Sequence, residues 1–473
     1  MKPVAVIGGG ITGLTAAFRL QQNNVPVTIY EATGRVGGAI QSVRRDGYLA
    51  EFGPNTILET SRQISSLVED LGLANRRLYS ESFANNRYLV RRGRLIKMPA
   101  SPLQFITTPL FSPVAKLRLL FEPFIARPNG SDEESVAEFV ERRLGREFLD
   151  HAVDALVGGI YAGDARKLSV RQAFPKLFAL EQKYGSLIKG QIFGAAERKK
   201  RGEVAKPNAP KFSFDEGLHV LPAALQQNLS SHIRLRTPVK KLIRSPNDWI
   251  VTSATNVESR HSAVIYAGTA FTLSKIDIEP RGSIDVSQFG EIHYPPVASV
   301  VLGFRQKDVA HPLDGFGMLI PRAEGFRILG TIFSSSLFPN RAPAGCVTLT
   351  SYLGGARSPE LAQKSPDELF QITSEDLRRL LGITGQPTFR HHVLFPKAIP
   401  QYELGYARFK KLMSDIESDM PGLFFAGQYR DGISVSDCIL SGDKVAKRGA
   451  EYFDKISPEP ESRFAGMHAL APV

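Results

Sequence analysis

The sequence predicts a mixed α/β protein in which a Rossmann-like dinucleotide-binding domain carries a sheet-based second domain and an inserted helical lobe. Three observations predict it. The apolar strand "VAVI" (Val4 to Ile7) runs straight into Gly8-Gly9-Gly10-Ile11-Thr12-Gly13 and a small-residue helix pattern. A mostly helical stretch occupies about residues 95 to 211, and alternating apolar runs follow from Ser230. Near the carboxyl end "GLFFAGQYRDGISVSDCILSGDKVAKRGAEYF" again reads as apolar strand, glycine turn and helix, so both chain ends build the dinucleotide domain.

The first unit is a phosphate cradle. Gly8 permits the tight turn, Gly10 lets the backbone approach a pyrophosphate, and Gly13 lets the helix pack closely on the strand. Gly9, Ile11 and Thr12 complete the loop, and the uncovered amides of the helix start face the anion. "VPVTIYEA" is a second strand ending in Glu31 and Ala32, about 20 residues beyond the glycines, where a carboxylate meets ribose hydroxyls and repels a ribose phosphate. The ligand at this point is FAD or NAD.

The chain of 473 residues exceeds one ordinary core. With 42% hydrophobic and 22% charged residues it has the composition of a globular protein, and no apolar run approaches the roughly 20 residues of a membrane-spanning helix. The strand begins almost at Met1, so no signal peptide is expected and the expected location is cytoplasmic, peripheral to the cytoplasmic membrane. Cys346 and Cys438 lie far apart and are expected to be buried apolar residues, not a disulfide. Nine histidines, including His391-His392, lack metal-ligand spacing, so no metal is expected. The 59 basic residues exceed the 47 acidic ones by 12, which favours an anionic partner. Much of the excess lies in "ERKKRGEVAKPNAPK" (Glu197 to Lys211), a run that reads as a solvated loop or as a contact for anionic headgroups, with no nucleic-acid motif beside it.

Between these ends, Pro-rich openings and the amphipathic "DEESVAEFVERRLGREFLDHAVDALV" mark the helical lobe, 95–211. The strands "HIRLRTPVKKLI", "WIVTSA" and "SAVIYAG" follow, then "PVASVVLGF", "FGMLIPR", "RILGTIF" and "VTLTSYLGG". The expected division is a dinucleotide domain from 1–75, 212–270 and 410–453, a substrate domain from 76–94 and 271–409, and a patternless, disordered tail from 454–473.

"GRVGGAIQS" (Gly34 to Ser42) places Arg35, Gly38 and Ala39 directly after Glu31. An Arg-x-Gly-Gly at this offset resembles the FAD-dependent oxidases of the amine-oxidase superfamily. With "FAGQYRDGIS" the resemblance implies non-covalent FAD, its pyrimidine ring facing the helix that starts near Ser434. "LVGGIYAGDARKLSVRQAFPKLFALEQKYGSLIKG", "FDEGLHVLPAAL", "DGFGMLIPRAEGFRILGTIFSSSLFPNRAP" and "KAIPQYELGY" resemble, in order, the same segments of protoporphyrinogen oxidases.

That resemblance, covering the chain to about Phe453, implies hydride transfer from a porphyrinogen to FAD in three two-electron rounds. Dioxygen or another acceptor reoxidises the flavin, and the lobe associates with an anionic membrane surface. It also implies a homodimer and contact with the next haem-pathway enzyme. By motif, Arg87 holds a substrate propionate, Leu319 and Ile332 sandwich a pyrrole ring, Tyr352 stacks where phenylalanine is common, and Gly159 sits close to the macrocycle. Gly53, Pro54, Asn55 and Thr56 form the loop over the flavin, with Asn55 and Arg87 as catalytic contacts. Val239 meets adenine through its backbone, and Gly427, Ile433, Ser434 and Val435 line the flavin. Coproporphyrinogen oxidation, an amine oxidase or desaturase, and a non-catalytic flavin-binding partner are the competing readings.

Overall fold

A computed structural model describes residues 2–127, 133–200, 209–280 and 285–456. Val4–Ile7 is buried throughout and rich in β-branched residues, as a strand covered on both faces must be. It is central in a five-stranded, wholly parallel sheet ordered Ile233–Arg234, Val27–Tyr30, Val4–Ile7, Val264–Tyr266, Leu423–Phe425. The helices Ile11–Gln22 and Val435–Ile456 pack together on it. Their backbones meet closely: a Cβ on Gly442 would fall 2.7 Å from the Thr12 carbonyl oxygen.

A second sheet has seven strands, ordered Phe389–Phe395, Val297–Arg305, Cys346–Gly354, Ile328–Ile332, Gly317–Leu319, Arg87–Arg91, Arg94–Lys97. Its pairs are antiparallel except Gly317–Leu319 with Arg87–Arg91. Smaller sheets join the two bodies, among them Ile57–Leu58, Lys211–Phe214 and Arg77–Tyr79.

Helices fill the lobe between Pro102 and Lys200. Two of them, Pro102–Thr107 and Pro113–Leu120, start with Ser-Pro: Ser101 and Ser112 cap the helix while proline sits where its missing N–H costs nothing. Ser135 and Glu138 form a capping box on Val136–Arg143. Inside the lobe the fully buried Arg143 guanidinium bridges the buried carboxylates of Glu122 and Glu181.

Several expectations change. "HIRLRTPVKKLI" is two strands in different sheets, because Arg236 takes φ +51° and Pro238 follows, so the chain turns before Val239–Arg244. Both cysteines are only partly buried. The last helix continues to Ile456, so residues 454–456 are ordered; the expected disorder of 457–473 falls outside the described residues, as do 201–208 of the basic run. Lys211 is no loop residue: it opens the buried strand Lys211–Phe214 and is itself 3% exposed. The expected cuts at 94/95, 211/212, 270/271 and 409/410 therefore all fall inside continuous elements.

Candidate functional site

Because the five strands are parallel, the loops leaving their carboxyl ends gather on one edge of the sheet. Gly8 turns there with φ +110°, where a Cβ would lie 2.9 Å from the Ala267 carbonyl, and a Cβ on Gly13 would fall 2.0 Å from the Gly8 oxygen. Gly10 differs: its Cβ would meet no protein atom within 4 Å, so the backbone is open to a ligand. The helix behind it begins without a side-chain cap, leaving the amides of Ile11, Thr12 and Gly13 available to an anion.

Glu31 fixes this loop to the next. One carboxylate oxygen accepts the Gly9 amide at 2.8 Å and the other accepts the Thr33 amide and hydroxyl at 2.7 Å each. The Gly37 amide donates to the Gly9 carbonyl at 2.8 Å, bringing the exposed Arg35, Gly38 and Ala39 beside the cradle. Arg35 donates to the carbonyls of Val36 and Gly38 in its own loop. Thr237 and Arg236 donate to the carbonyls of Glu31 and Thr33, so Val239 starts its strand next to Glu31 and the exposed Ala32. On the other side a Cβ on Gly53 would lie 3.1 Å from the Ala39 carbonyl oxygen, which joins the Gly53–Thr56 loop to the same edge.

The final helix closes the arrangement. Ser434 and Asp437 cap it reciprocally, and the Ser436 hydroxyl accepts the Leu58 amide at 3.0 Å and donates to the Leu58 carbonyl at 2.7 Å. Ile433, Ser434 and Val435 thus stand at a helix start tied to the segment that follows Thr56. Gly427, with φ +118°, donates its amide to Ser441 Oγ at 2.9 Å. All the glycine loops read from the sequence converge here, and the open face of Gly10 with its uncapped helix suits a dinucleotide pyrophosphate.

The second sheet presents the other half of the site. Arg87 pairs with Gly317, Gly317 with Ile332, and Ile332 with Thr350; one step along, Leu319 pairs with Gly330 and Gly330 with Tyr352. Directly opposed residues share a face and residues two apart share it too. Arg87, Leu319, Ile332 and Tyr352 therefore all lie on one face, each partly exposed, with the side-chain-free Gly317 and Gly330 between them. The helix Asp154–Tyr161 covers that face at Leu319, since a Cβ on Gly159 would come 2.3 Å from the Leu319 methyl.

Tyr352 joins the two halves. Its hydroxyl donates to the Gly53 carbonyl at 2.8 Å and accepts from Asn55 Nδ2 at 2.8 Å. Asn55 Nδ2 also donates to Gly53 at 3.2 Å, and Asn55 Oδ1 accepts from Ser334 at 3.3 Å. Burial raises the Tyr352 pKa well above its ordinary value, so the phenol stays neutral. Arg87 has a different environment: its guanidinium lies 5.9 Å over the Phe316 ring, and burial depresses its pKa. Sequence reasoning did not single out Lys211, Phe316 or Ser334. The signal for Lys211 was the alternation of "KFSF", hidden at the end of a basic run.

A family model described as flavin containing amine oxidoreductase matches residues 11–448. The chain belongs to that family. The oxidoreductase is 36% identical over 485 residues to protoporphyrinogen oxidase 2, chloroplastic/mitochondrial, of Arabidopsis thaliana, covering 96% of this chain and 95% of that one. It is 31% identical to the coproporphyrinogen III oxidase of Bacillus subtilis (strain 168), over 95% of this chain and 98% of that one. Among solved structures, one from Exiguobacterium sp. 255-15, named for protoporphyrinogen oxidase, covers 95% of this chain and 99% of its own at TM-score 0.78 and 22% identity, a likeness of fold.

Proposed function

We propose that this flavin oxidoreductase binds FAD non-covalently and oxidises a porphyrinogen, with protoporphyrinogen as the preferred substrate. The observation that carries the reading is the single sheet face holding Arg87, Leu319, Ile332 and Tyr352, roofed at Gly159 and hydrogen-bonded to the Gly53–Thr56 loop of the dinucleotide edge. An aliphatic slot with the Arg87 cation at its end suits a flat, electron-rich macrocycle bearing a carboxylate arm. Held at the glycine edge, FAD would supply the hydride acceptor, while the residues of the chain bind and orient the substrate and exclude water. Leu319 and Ile332 supply dry contact, Arg87 sets direction, and Gly159 lets the covering helix sit directly on Leu319. Asn55 spends both amide hydrogens on Tyr352 and Gly53, so its part is to hold the loop in place. The greater identity to the Arabidopsis protein than to the Bacillus one supports protoporphyrinogen.

The helical lobe serves, in this reading, as a membrane foot. Leu103, Ile106, Val114, Leu117, Phe121 and Phe124 are between 57% and 82% exposed and follow one another at helical spacing on adjoining segments. An apolar substrate would then reach the slot from lipid. Within this reading the dinucleotide, substrate and lobe regions keep their separate roles.

The test is anaerobic bleaching of the purified protein's flavin absorbance by protoporphyrinogen and, separately, coproporphyrinogen. Rapid bleaching by the first, with fluorescent protoporphyrin formed on admitting air, is expected. Bleaching by the second alone moves the substrate, and bleaching by neither rejects the reading.

A further inference from the structure

Two cations lie toward one corner of the candidate substrate face, Arg87 on that face and Lys211 on the adjoining three-stranded sheet, and neither has a carboxylate partner among the described residues. Lys211 is 3% exposed, and its ammonium donates to Asn85 Oδ1 at 3.0 Å, a neutral amide two residues before Arg87. The Arg87 guanidinium has the Phe316 ring and, among the described residues, no acidic partner.

Strand pairing sets Lys211 toward the same corner. Leu58 lies opposite Lys211 and Leu78 opposite Ser213, so Lys211 and Leu78 share a face of their small sheet. On that face Leu78 packs in one cluster with Phe316 and Ile332, the ring under Arg87 and a wall of the slot. Burial, and after it the charge of Arg87, weakens the hold of Lys211 on its proton, so the two charges sense each other. Buried charges are ordinarily paired, and two of one sign in a dry corner disfavour each other until an anion arrives.

We propose that Lys211 is a specificity-determining residue whose ammonium takes one carboxylate of the substrate while Arg87 takes another, so that both acidic arms on one edge of the macrocycle are held. This rests on the porphyrinogen reading above. A substrate with two neighbouring propionates satisfies both cations; a neutral or singly charged one leaves a buried ammonium without a counter-charge.

Lys211→Met keeps the apolar stem without the charge, and Lys211→Arg keeps the charge. With protoporphyrinogen, Lys211→Met should raise KM about tenfold or more, as loss of a charge-assisted contact does, while kcat and flavin content stay near those of the unaltered enzyme. Lys211→Arg should recover most of that loss. The dimethyl ester should show the same KM with Lys211→Met as with the unaltered enzyme. An unchanged KM for the diacid, or an equal penalty on the ester, overturns the assignment. Independently of any variant, esterifying both propionates should weaken binding to the unaltered enzyme more than esterifying one; equal affinities for monoester and diester also overturn it. If no porphyrinogen bleaches the flavin of the unaltered enzyme, the underlying reading fails and this one with it. Normal bleaching with an indifferent Lys211→Met defeats this inference alone.

Discussion

Tyr352 does two things with one side chain. Its ring lies on the sheet face proposed to hold substrate, where a phenylalanine would serve as well, and its hydroxyl fastens the Gly53–Thr56 loop through Gly53 and Asn55. Removing the hydroxyl leaves the Gly53 carbonyl with only its longer Asn55 bond and costs Asn55 one of its two amide contacts. Tyr352→Phe should therefore lower the unfolding free energy by about 1–2 kcal/mol while KM for porphyrinogen changes little. Denaturant melting of the variant, with kinetics alongside, checks both halves. An unshifted melt together with an altered KM would mean that the hydroxyl faces substrate and not the loop.

At the scale of elements, the contact between the strand Glu258–His261 and the parallel sheet carries its own pH dependence. His261 is 1% exposed and lies between Pro3 and Tyr30: Nδ1–H donates to the Pro3 carbonyl at 3.2 Å, which leaves Nε2 to accept the Tyr30 hydroxyl at 2.8 Å. Both ring nitrogens are used by the neutral form. Burial accordingly lowers its pKa from 6.5 to about 4. The unfolded chain takes up this proton first, so stability is unaffected above about pH 6.5 and falls as pH drops toward 4, by on the order of 3 kcal/mol. His261→Gln should flatten that slope in urea melts across the same range; an unchanged slope would assign it to other groups. What the sequence disclosed at this scale follows a physical divide. The cradle from Gly8 to Gly13 was legible because phosphate binding imposes local rules on consecutive residues. Lys211 was not, because a charge run next to it outweighed a four-residue alternation, and a lysine can be buried only through partners distant in sequence. The turn inside "HIRLRTPVKKLI" was hidden for a like reason: Arg236 in a left-handed conformation is held by the Thr33 carbonyl, some 200 residues away.

For the whole molecule, the slot, the dinucleotide edge and the exposed apolar helices of the lobe lie in one chain with no helix, among the described residues, long and apolar enough to cross a membrane. If the lobe is a membrane foot, each large apolar side chain it buries in lipid is worth about 1.5–3 kcal/mol. The triple variant Leu117→Ser, Phe121→Ser, Phe124→Ser should then no longer sediment with anionic phospholipid vesicles, while oxidation of detergent-dispersed substrate persists. Co-sedimentation equal to that of the unaltered enzyme would remove the foot. The parallel sheet has a further consequence, for synthesis. Val4–Ile7 requires Val264–Tyr266 beside it, and that strand in turn requires Leu423–Phe425. At about 5–20 residues per second, a ribosome needs roughly 20–80 s to add the last of these after the first has emerged. The growing sheet spends that interval with an open edge, on Val4–Ile7 until Val264–Tyr266 is made and on Val264–Tyr266 thereafter, so a nascent chain would be a client for chaperones, and a premature stop before residue 423 would yield aggregate in place of a smaller flavoprotein.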